Sequence, residues 1–263
     1  MWTITAAQQP YPGKDQDRLM VQDIEHGHAV GVFDGHGRSD DCVEACARIF
    51  PKRMKCVKKE DAERGLRDSF AYVAGATASL IGGSTATVAC LWDSGRVDAS
   101  ILGDSLIILR PSKARLIIGP LHNAGSNTTE RASAVSRGAV YKESYIHAPD
   151  GSWRAEITRS FENQRRRAFI ICEPEALSGS VAPGGWVALM SDGVINSLHR
   201  SFKLHLPDIV KLIDDGTEPS DLVPRYHRFQ RDDSTLVVCR YKVGNVAVAV
   251  GRQSSPAEAD AVA

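Results

Sequence analysis

The sequence lacks an excess of charge of either sign. Its 263 residues include 32 basic and 32 acidic side chains, so the formal net charge is zero. General electrostatic attraction to nucleic acid or to anionic lipid depends on a surplus of positive charge. The sequence therefore predicts partners that are neither nucleic acid nor membrane.

Long apolar runs are also missing. A membrane-spanning helix needs about 20 consecutive apolar residues, and no segment approaches that length. The N-terminal stretch has neither the basic start nor the apolar core that is typical of a signal peptide. From these features we expect a cytoplasmic protein.

Cysteine is sparse and unpaired in the sequence. The six cysteines are scattered, at positions 42, 46, 56, 90, 172 and 239, and no two form a Cys-x-x-Cys pair. Structural zinc sites and redox motifs use closely spaced cysteines. The pattern therefore predicts reduced cysteines in the core of a cytosolic protein.

Short segments rich in β-branched residues and bounded by turn formers predict strands along most of the chain. They cover residues 2–6, 19–24, 29–33, 84–92, 96–102, 105–110, 168–172, 186–190 and 235–241. Apolar residues at helical spacing predict helices at 40–51, 60–80, 207–214 and 220–230, with a short helix at 128–137. Many strands with helices in adjacent pairs indicate an α+β layered sandwich.

We expect one domain over residues 1–243 and a partly disordered tail over 244–263, since no internal repeat or low-complexity segment divides the chain. Within the domain, residues 112–165 are weakly patterned. So long an irregular stretch is more typical of a functional flap than of a linker.

Aspartates occur where the predicted strands begin or end. They are Asp17, Asp34, Asp104, Asp192 and Asp232. If they meet at one edge of a sandwich, their carboxylates repel one another and need cations to stay ionised. Oxygen ligands of this kind suit Mg²⁺ or Mn²⁺. Taken singly, however, an Asp-Gly pair is more often a turn former.

The segment VFDGHG, residues 32–37, combines an aspartate, a glycine and a histidine. Asp34 ends an apolar strand, and Gly35 allows a backbone carbonyl to approach an ion. His36 stands apart from other histidines, so a zinc site is not indicated. Its position beside the proposed ions suits a general acid or base.

The motifs together resemble those of the type 2C, metal-dependent serine/threonine protein phosphatases. The matching segments are DQDR (15–18), VFDGHG (32–37), GGSTATVA (82–89), LGDSLIIL (102–109), EPE (173–175), ALMSDGV (188–194) and RDDSTLVV (231–238). The resemblance covers residues 15–240. It implies a four-layer α-β-β-α sandwich, in which two antiparallel sheets are flanked by helix pairs.

The resemblance also implies the roles of the site residues. Asp34 matches the aspartate that bridges two Mn²⁺ or Mg²⁺ ions, and Gly35 the residue that offers its carbonyl. The other implied metal residues are Asp192 and Asp232 as direct ligands, Asp17 acting largely through water, and Asp104 at a third, weaker site in some members. Thr235 matches a buried threonine with a structural role.

By the same resemblance, a hydroxide that bridges the metals attacks phosphoserine or phosphothreonine, and His36 protonates the leaving group. The implied partners are phosphorylated proteins and a cognate serine/threonine kinase or its targets.

The sequence departs from the family at several positions. Pro12 replaces an arginine that holds the substrate phosphate in many members, which leaves Lys14 as a substitute of weaker geometry. Leu106 replaces another arginine, and Glu162-Asn163 stands where a Gly-Asp pair is usual. The run Arg165–Arg167 is interpreted as a solvated basic loop, with docking of acidic phosphoproteins as the alternative.

Two other functions remain open from the sequence. A pseudophosphatase would keep the fold and bind phosphoproteins without turnover, and Pro12 favours it. A hydrolase of small phosphate esters would use the same metal chemistry in a deeper, closed pocket.

Overall fold

The structure is a computed structural model that describes residues 1–113, 115–195, 206–227 and 232–242. The strands are β1 (Trp2–Gln9), β2 (Asp17–Ile24), β3 (Gly27–His36), β4 (Gly83–Ser84), β5 (Ala86–Trp92), β6 (Arg96–Leu102), β7 (Leu106–Ser112), β8 (Arg115–Ile118), β9 (Val140–Lys142), β10 (Tyr145–His147), β11 (Arg154–Ala155), β12 (Glu175–Ser180), β13 (Trp186–Met190) and β14 (Ser234–Tyr241). The helices are α1 (Asp41–Met54), α2 (Ala62–Thr77), α3 (Thr128–Ser136), α4 (Leu206–Asp214) and α5 (Pro219–His227).

Two antiparallel sheets form the centre of the molecule. One sheet has the order β1-β14-β13-β7-β8, and the other has the order β12-β6-β5-β3-β2. Helices α1 and α2 pack on the second sheet, and α5 packs on β1 and β14 of the first. The predicted α+β sandwich of two antiparallel sheets with outer helices is confirmed.

Alternation along the strands explains why four layers form. On β3, Ala29 and Phe33 face the core under α1 and α2, whereas Val30 and Val32 face the opposite sheet. Successive side chains of a strand point to opposite faces. A strand that is apolar at every position therefore has to be covered on both sides, by helices on one face and by the second sheet on the other.

Two element predictions fail for identifiable reasons. Helix α1 does not end at Pro51 but continues to Met54. Proline removes one helical hydrogen bond, but Phe50 and Met54 are fully buried on either side of it, and that burial offsets the loss.

The predicted strand at 168–172 is wrong. The amides of Phe169 and Ile170 both donate to the carbonyl of Arg166 in a turn, and Ile171 alone forms a bridge, to Arg159. The segment is apolar because Ile170 enters a small core of the flap. Conversely, β12 was not predicted, since its sequence EALSGS has little apolar character.

The predicted flap is more ordered than its sequence pattern indicates. It contains α3 and a three-stranded sheet, β11-β10-β9, around a small apolar core that includes Ala134, Ile146 and Ile170. The flap therefore extends past the predicted end at residue 165 and includes Arg166. Its first part, β8, belongs instead to the main sheet. Residues 243–263, which include the predicted tail, lie outside the described residues.

The cysteines agree with the prediction of reduced thiols. All six are free, and Cys42, Cys46, Cys90 and Cys239 are buried. Cys56 is exposed and does not belong to the core. No helix among the described residues is long and apolar enough to cross a membrane.

A cluster of four phenylalanines joins the first helix pair to its sheet. Phe50 of α1 lies at 5.2 Å from Phe33, 5.0 Å from Phe70 and 6.1 Å from Phe161, measured between ring centroids. We expect Phe50→Ala to lower the free energy of unfolding by about 3–5 kcal/mol, because it opens a cavity among rigid neighbours. Urea denaturation would measure this, with the exposed Tyr72→Ala of α2 as the control. A loss below about 1 kcal/mol would contradict the role assigned to the cluster.

Candidate active site

One cleft, of about 270 Å³, collects most of the residues that the sequence singles out. It is lined by Lys14, Asp34, Gly35, His36, Gly37, Thr85, Asp104, Arg154, Ala155, Glu156, Ile157, Arg166, Asp192 and Asp232. The aspartates come from loops and strand ends that are far apart in sequence. Of the five aspartates expected at one edge of the sandwich, four line this cleft, and Asp17 does not.

Strand pairing places Asp34 at the centre of the acids. In the register of β2 and β3, Asp17 lies directly opposite Asp34. The amide of Asp34 donates to Thr85 Oγ1 at 3.1 Å, and its carbonyl accepts from the amide of Thr85 at 2.9 Å. These bonds fix the backbone of Asp34 while its carboxyl faces the cleft.

Gly35 is required by close packing as well as by any ligand role. A Cβ atom at this position would lie 2.6 Å from the carbonyl oxygen of Gln16 and 2.9 Å from Cγ1 of Val43. The amide of Gly35 donates to that carbonyl of Gln16 at 3.0 Å. A side chain would therefore push β3 away from the loop that carries Lys14.

Asp192 follows β13 and Asp232 precedes β14, and the two acids approach each other because these strands are neighbours in the first sheet. Gly193 permits the approach, since a Cβ there would lie 1.8 Å from the carbonyl oxygen of Asp233. The glycine of the SDG motif thus serves packing between two acidic segments rather than a turn.

Asp17 lies behind the cleft rather than in its wall. Its side chain is buried, and Oδ2 accepts a hydrogen bond from Thr235 Oγ1 at 2.9 Å. Thr235 is buried too, as the resemblance implies. The arrangement gives Asp17 contact with Asp34 across the strand pair without direct access from the cleft.

The two consecutive aspartates 232 and 233 do different things. Asp232 lines the cleft and pairs with Lys14 at 2.5 Å. Asp233 is buried and accepts from the backbone amides of Tyr11 at 2.7 Å and of Gln16 at 2.6 Å. It therefore holds the loop that carries Lys14 against the sandwich, a role that the sequence did not predict.

Asp104 is oriented from the flap. Its Oδ2 accepts from Asn123 Nδ2 at 2.9 Å, and the preceding amide, of Gly103, donates to His122 Nδ1 at 3.1 Å. Both partners belong to the segment that leads into α3. The position of this carboxyl consequently depends on how the flap packs against the two sheets.

Burial and mutual repulsion act together on these carboxyls. Burial raises the pKa of Asp17 and of Asp104 to about 7 in each case, and neighbouring carboxylates add to the effect. The same causes raise the pKa of Asp34 well above its usual value, and that of Asp192 as well. A buried group of oxygen donors that resists ionisation in this way fits hard divalent cations, whose charge would favour the ionised forms.

His36 lies at the edge of the cleft with its ring against the flap. Nε2 is 3.3 Å from Ser160 Oγ and 3.5 Å from Glu162 Oε1. Burial, with smaller contributions from the charges of Arg166 and Lys14, lowers the pKa of His36 to about 4. The imidazole is therefore neutral at neutral pH in the metal-free protein.

Lys14 reaches the cleft as expected but is already paired. Burial acts to lower its pKa, yet the hydrogen bond and the charge of Asp232 outweigh burial, so the pKa is raised. Whether it also binds a substrate phosphate stays a prediction.

The flap supplies three charged residues that the sequence did not assign to the site, namely Arg154, Glu156 and Arg166. The interpretation of Arg165–Arg167 as a solvated basic loop is wrong for two of its members. Arg166 lines the cleft, and Arg167 donates to the carbonyls of Glu162 and Ala74. Only packing of the flap brings these residues to the cleft, so no local sequence signal could have identified them.

A second group of ligand-type side chains lies outside the cleft. His122, Glu130 and Glu175 place ligand atoms within 4.8 Å of one another, a spacing that could hold a metal ion. Among the described residues, this is the group of three that meets that spacing. Arg159 already binds Glu130 at 2.6 Å and approaches Glu175 at 3.7 Å. An ion would have to displace Arg159. We therefore interpret His122, Glu130, Glu175 and Arg159 as an ion-pair network that anchors the flap.

No protein-family model matches the chain, and no curated protein sequence matches it either. Solved structures do. A sex-determining protein of C. elegans aligns with a TM-score of 0.71 and 19% identity, over 90% of this chain and 64% of that one. The serine/threonine phosphatase Stp1 of Staphylococcus aureus gives 0.67 and 13%, over 92% and 96%. The serine-threonine phosphatase 2C of Toxoplasma gondii gives 0.63 and 14%, over 90% and 99%.

The similar structures are mostly serine/threonine phosphatases of type 2C, so the fold that the motifs predicted is confirmed. The chain spans 64% of the length of the C. elegans protein but nearly the whole of the bacterial phosphatases. At these identities the likeness shows the fold alone, and activity has to be argued from the cleft.

We expect the carboxyl repulsion to be measurable as a pH-dependent difference between wild type and Asp104→Asn. Because the pKa of Asp104 is raised to about 7 in the folded protein, its contribution to stability is full below its ordinary pKa and is lost as pH rises through about 7. In EDTA, the Tm of Asp104→Asn should lie closest to that of wild type near pH 4, where the Asp104 carboxyl is largely protonated in the folded and in the unfolded protein, and should exceed it by a few °C at pH 8. A Tm difference that does not change with pH would contradict the electrostatic account.

The different roles of Asp232, which lines the cleft, and Asp233, which holds the loop that carries Lys14, give a second test. Asp233→Ala leaves buried backbone amides without their acceptor, so we expect a loss of about 2–4 kcal/mol in the free energy of unfolding. Asp232→Ala removes a carboxyl that is 37% exposed and should change stability by less than about 1 kcal/mol. Chemical denaturation of the metal-free proteins measures both, and equal losses would refute the assignment.

Proposed function

We propose that this chain is a protein serine/threonine phosphatase that depends on Mn²⁺ or Mg²⁺. The observation that carries the proposal is the convergence of Asp34, Asp104, Asp192 and Asp232 in one cleft, with His36 at its edge. The acids arrive there from separate elements of both sheets, which local turn formation does not explain. The fold shared with serine/threonine phosphatases supports the same conclusion.

Asp34, Asp192 and Asp232 would hold two divalent ions together with the carbonyl of Gly35, and Asp104 would face a third, weaker site. When bound, such ions polarise phosphoryl oxygens and lower the pKa of water enough to give a nucleophile near neutral pH. Since the acids resist ionisation without cations, binding of the ions should be coupled to release of protons.

The chain's own residues supply orientation and a proton path. Thr85 and the β2–β3 pairing hold Asp34, and Asn123 holds Asp104. An alkoxide leaving group needs a proton, which typically contributes about 10²–10⁴ in rate. His36 would give it, and because its lowered pKa leaves the imidazole neutral near pH 7, the proton would come from a neighbouring acid. Burial raises the pKa of Glu162, 3.5 Å from His36 Nε2, to about 7, so a proton is held beside the imidazole near neutral pH.

The shape of the site favours protein substrates. Arg166 lines both the acidic cleft and a neighbouring groove of about 710 Å³ that contains Trp153 and Phe169. A phosphorylated side chain in the cleft could therefore continue into the groove through its polypeptide. A hydrolase of small phosphate esters would have no use for this extension.

The retention of every cleft aspartate speaks against a pseudophosphatase. Such a binding module would be free to lose metal ligands, whereas here the supporting contacts of the acids, from Thr85, Asn123 and Thr235, are complete as well.

We expect wild type to hydrolyse a phosphothreonine peptide and p-nitrophenyl phosphate with Mn²⁺ or Mg²⁺ and to be inactive in EDTA. Asp34→Asn should lower kcat by at least about 10³-fold, because it removes the charge at the centre of the metal site. The control is Asp23→Asn, which changes an exposed aspartate near the other end of β2, with a side chain 87% exposed, and should retain full activity.

The outcomes separate the three functions. A higher kcat/KM for the peptide supports the protein phosphatase. A preference for small esters would favour the small-molecule hydrolase. A folded wild type that binds Mn²⁺ but turns over neither substrate would indicate a pseudophosphatase.

A further inference from the structure

The phosphate-binding arginine that the resemblance predicts on the N-terminal side of the cleft is replaced by Pro12. A phosphoryl group carries negative charge on several oxygens, and a guanidinium can bind two of them at once. Among the described residues, the cations that line the cleft are Lys14, Arg154 and Arg166.

Lys14 is committed to another contact. Its ammonium lies 2.5 Å from Asp232 Oδ1, and its loop is held by Asp233. An ammonium is also a point charge that lacks the planar fork of a guanidinium. Arg154 is exposed, and its guanidinium stacks on the ring of Tyr145 at 4.6 Å, within the flap's own surface.

Arg166 differs from both by its position beside His36. Its Nη1 lies 3.6 Å from Glu162 Oε1, and His36 Nε2 lies 3.5 Å from the same oxygen. The guanidinium and the imidazole therefore flank one buried carboxyl at the edge of the acidic cleft.

Trp153 and Glu162 hold the guanidinium of Arg166 in place without occupying all of its hydrogen-bond donors. The guanidinium lies 5.6 Å from the ring centre of Trp153, and the side chain is 29% exposed. At 3.6 Å the contact with Glu162 is longer than a direct hydrogen bond. Donors of the guanidinium are thus available toward the cleft.

We infer that Arg166 of the flap binds the substrate phosphate, in place of the arginine that is absent at Pro12. The inference rests on the proposed phosphatase function and deepens it, because it makes the flap a part of the substrate site. Glu162 and Trp153 act as positioning residues for the guanidinium. Substrate binding and flap packing are then linked through one side chain.

The test compares Arg166→Ala and Arg166→Lys with Arg131→Ala. Arg131 is the matched control, since it is also a flap arginine, stacked on Tyr141 at 4.5 Å, but it does not line the cleft. Steady-state kinetics with p-nitrophenyl phosphate and Mn²⁺ would give KM and kcat. Inhibition by inorganic phosphate would give its Ki.

We expect Arg166→Ala to raise both KM for the substrate and Ki for phosphate by about 10- to 100-fold, which is the range for loss of charge-assisted hydrogen bonds. Arg166→Lys should recover part of the loss, because it restores the charge but not the fork. Arg131→Ala should stay within about twofold of wild type. KM and Ki of Arg166→Ala within twofold of wild type would overturn the inference.

Two further measurements keep this test apart from the proposed function. Titration with Mn²⁺ should give the same affinity in Arg166→Ala and wild type, and weakened metal binding would overturn a role confined to phosphate. If wild type shows no turnover with any metal, the phosphatase proposal fails. In that case, binding of inorganic phosphate in the presence of Mn²⁺ can still be measured by calorimetry. Tighter binding by wild type than by Arg166→Ala supports the inference, and equal binding refutes it.

Discussion

The repulsion among buried carboxyls at one edge of the sandwich is the constraint on which the site depends. Asp17, Asp34, Asp104 and Asp192 are brought to a region where water cannot screen them well, and burial raises the pKa of all four. Such an arrangement costs stability in the metal-free protein. The sandwich tolerates it because strand pairing and the hydrogen bond from the Asp34 amide to Thr85 fix the backbone of Asp34, and because Thr235 donates a hydrogen bond to the carboxyl of Asp17.

The two sheets do more than support the acids. Their inner faces share one apolar core, which includes Val32 from β3 and Leu189 from β13, and this core fixes the relative position of the strand ends. Asp34 and Asp192 emerge directly beyond these residues. A shift of one sheet over the other would separate the carboxyls, so packing density in the core sets the precision of the cleft.

The flap contributes chemistry as well as cover. Asn123 orients Asp104, Ser160 and Glu162 contact His36, and Arg166 lines the cleft. Arg159 ties the flap together through Glu130. Of the departures from the type 2C motifs, Glu162-Asn163 lies in the flap, whereas Pro12 and Leu106 lie outside it.

The sequence by itself determined most strands, the helices and the identity of the acids, because alternation, helical spacing and short motifs are local properties. It therefore identified Asp34, Asp104, Asp192 and Asp232, the four aspartates that line the cleft, as candidate site residues. Only the tertiary structure decided that Asp233 holds the loop that carries Lys14, by accepting hydrogen bonds from backbone amides, and that residues 168–172 form a turn. It alone placed Arg166 in the cleft and Asp17 behind it. Those outcomes depend on contacts between residues distant along the chain, such as Tyr11 with Asp233 across 222 positions, and local pattern carries no information about such contacts.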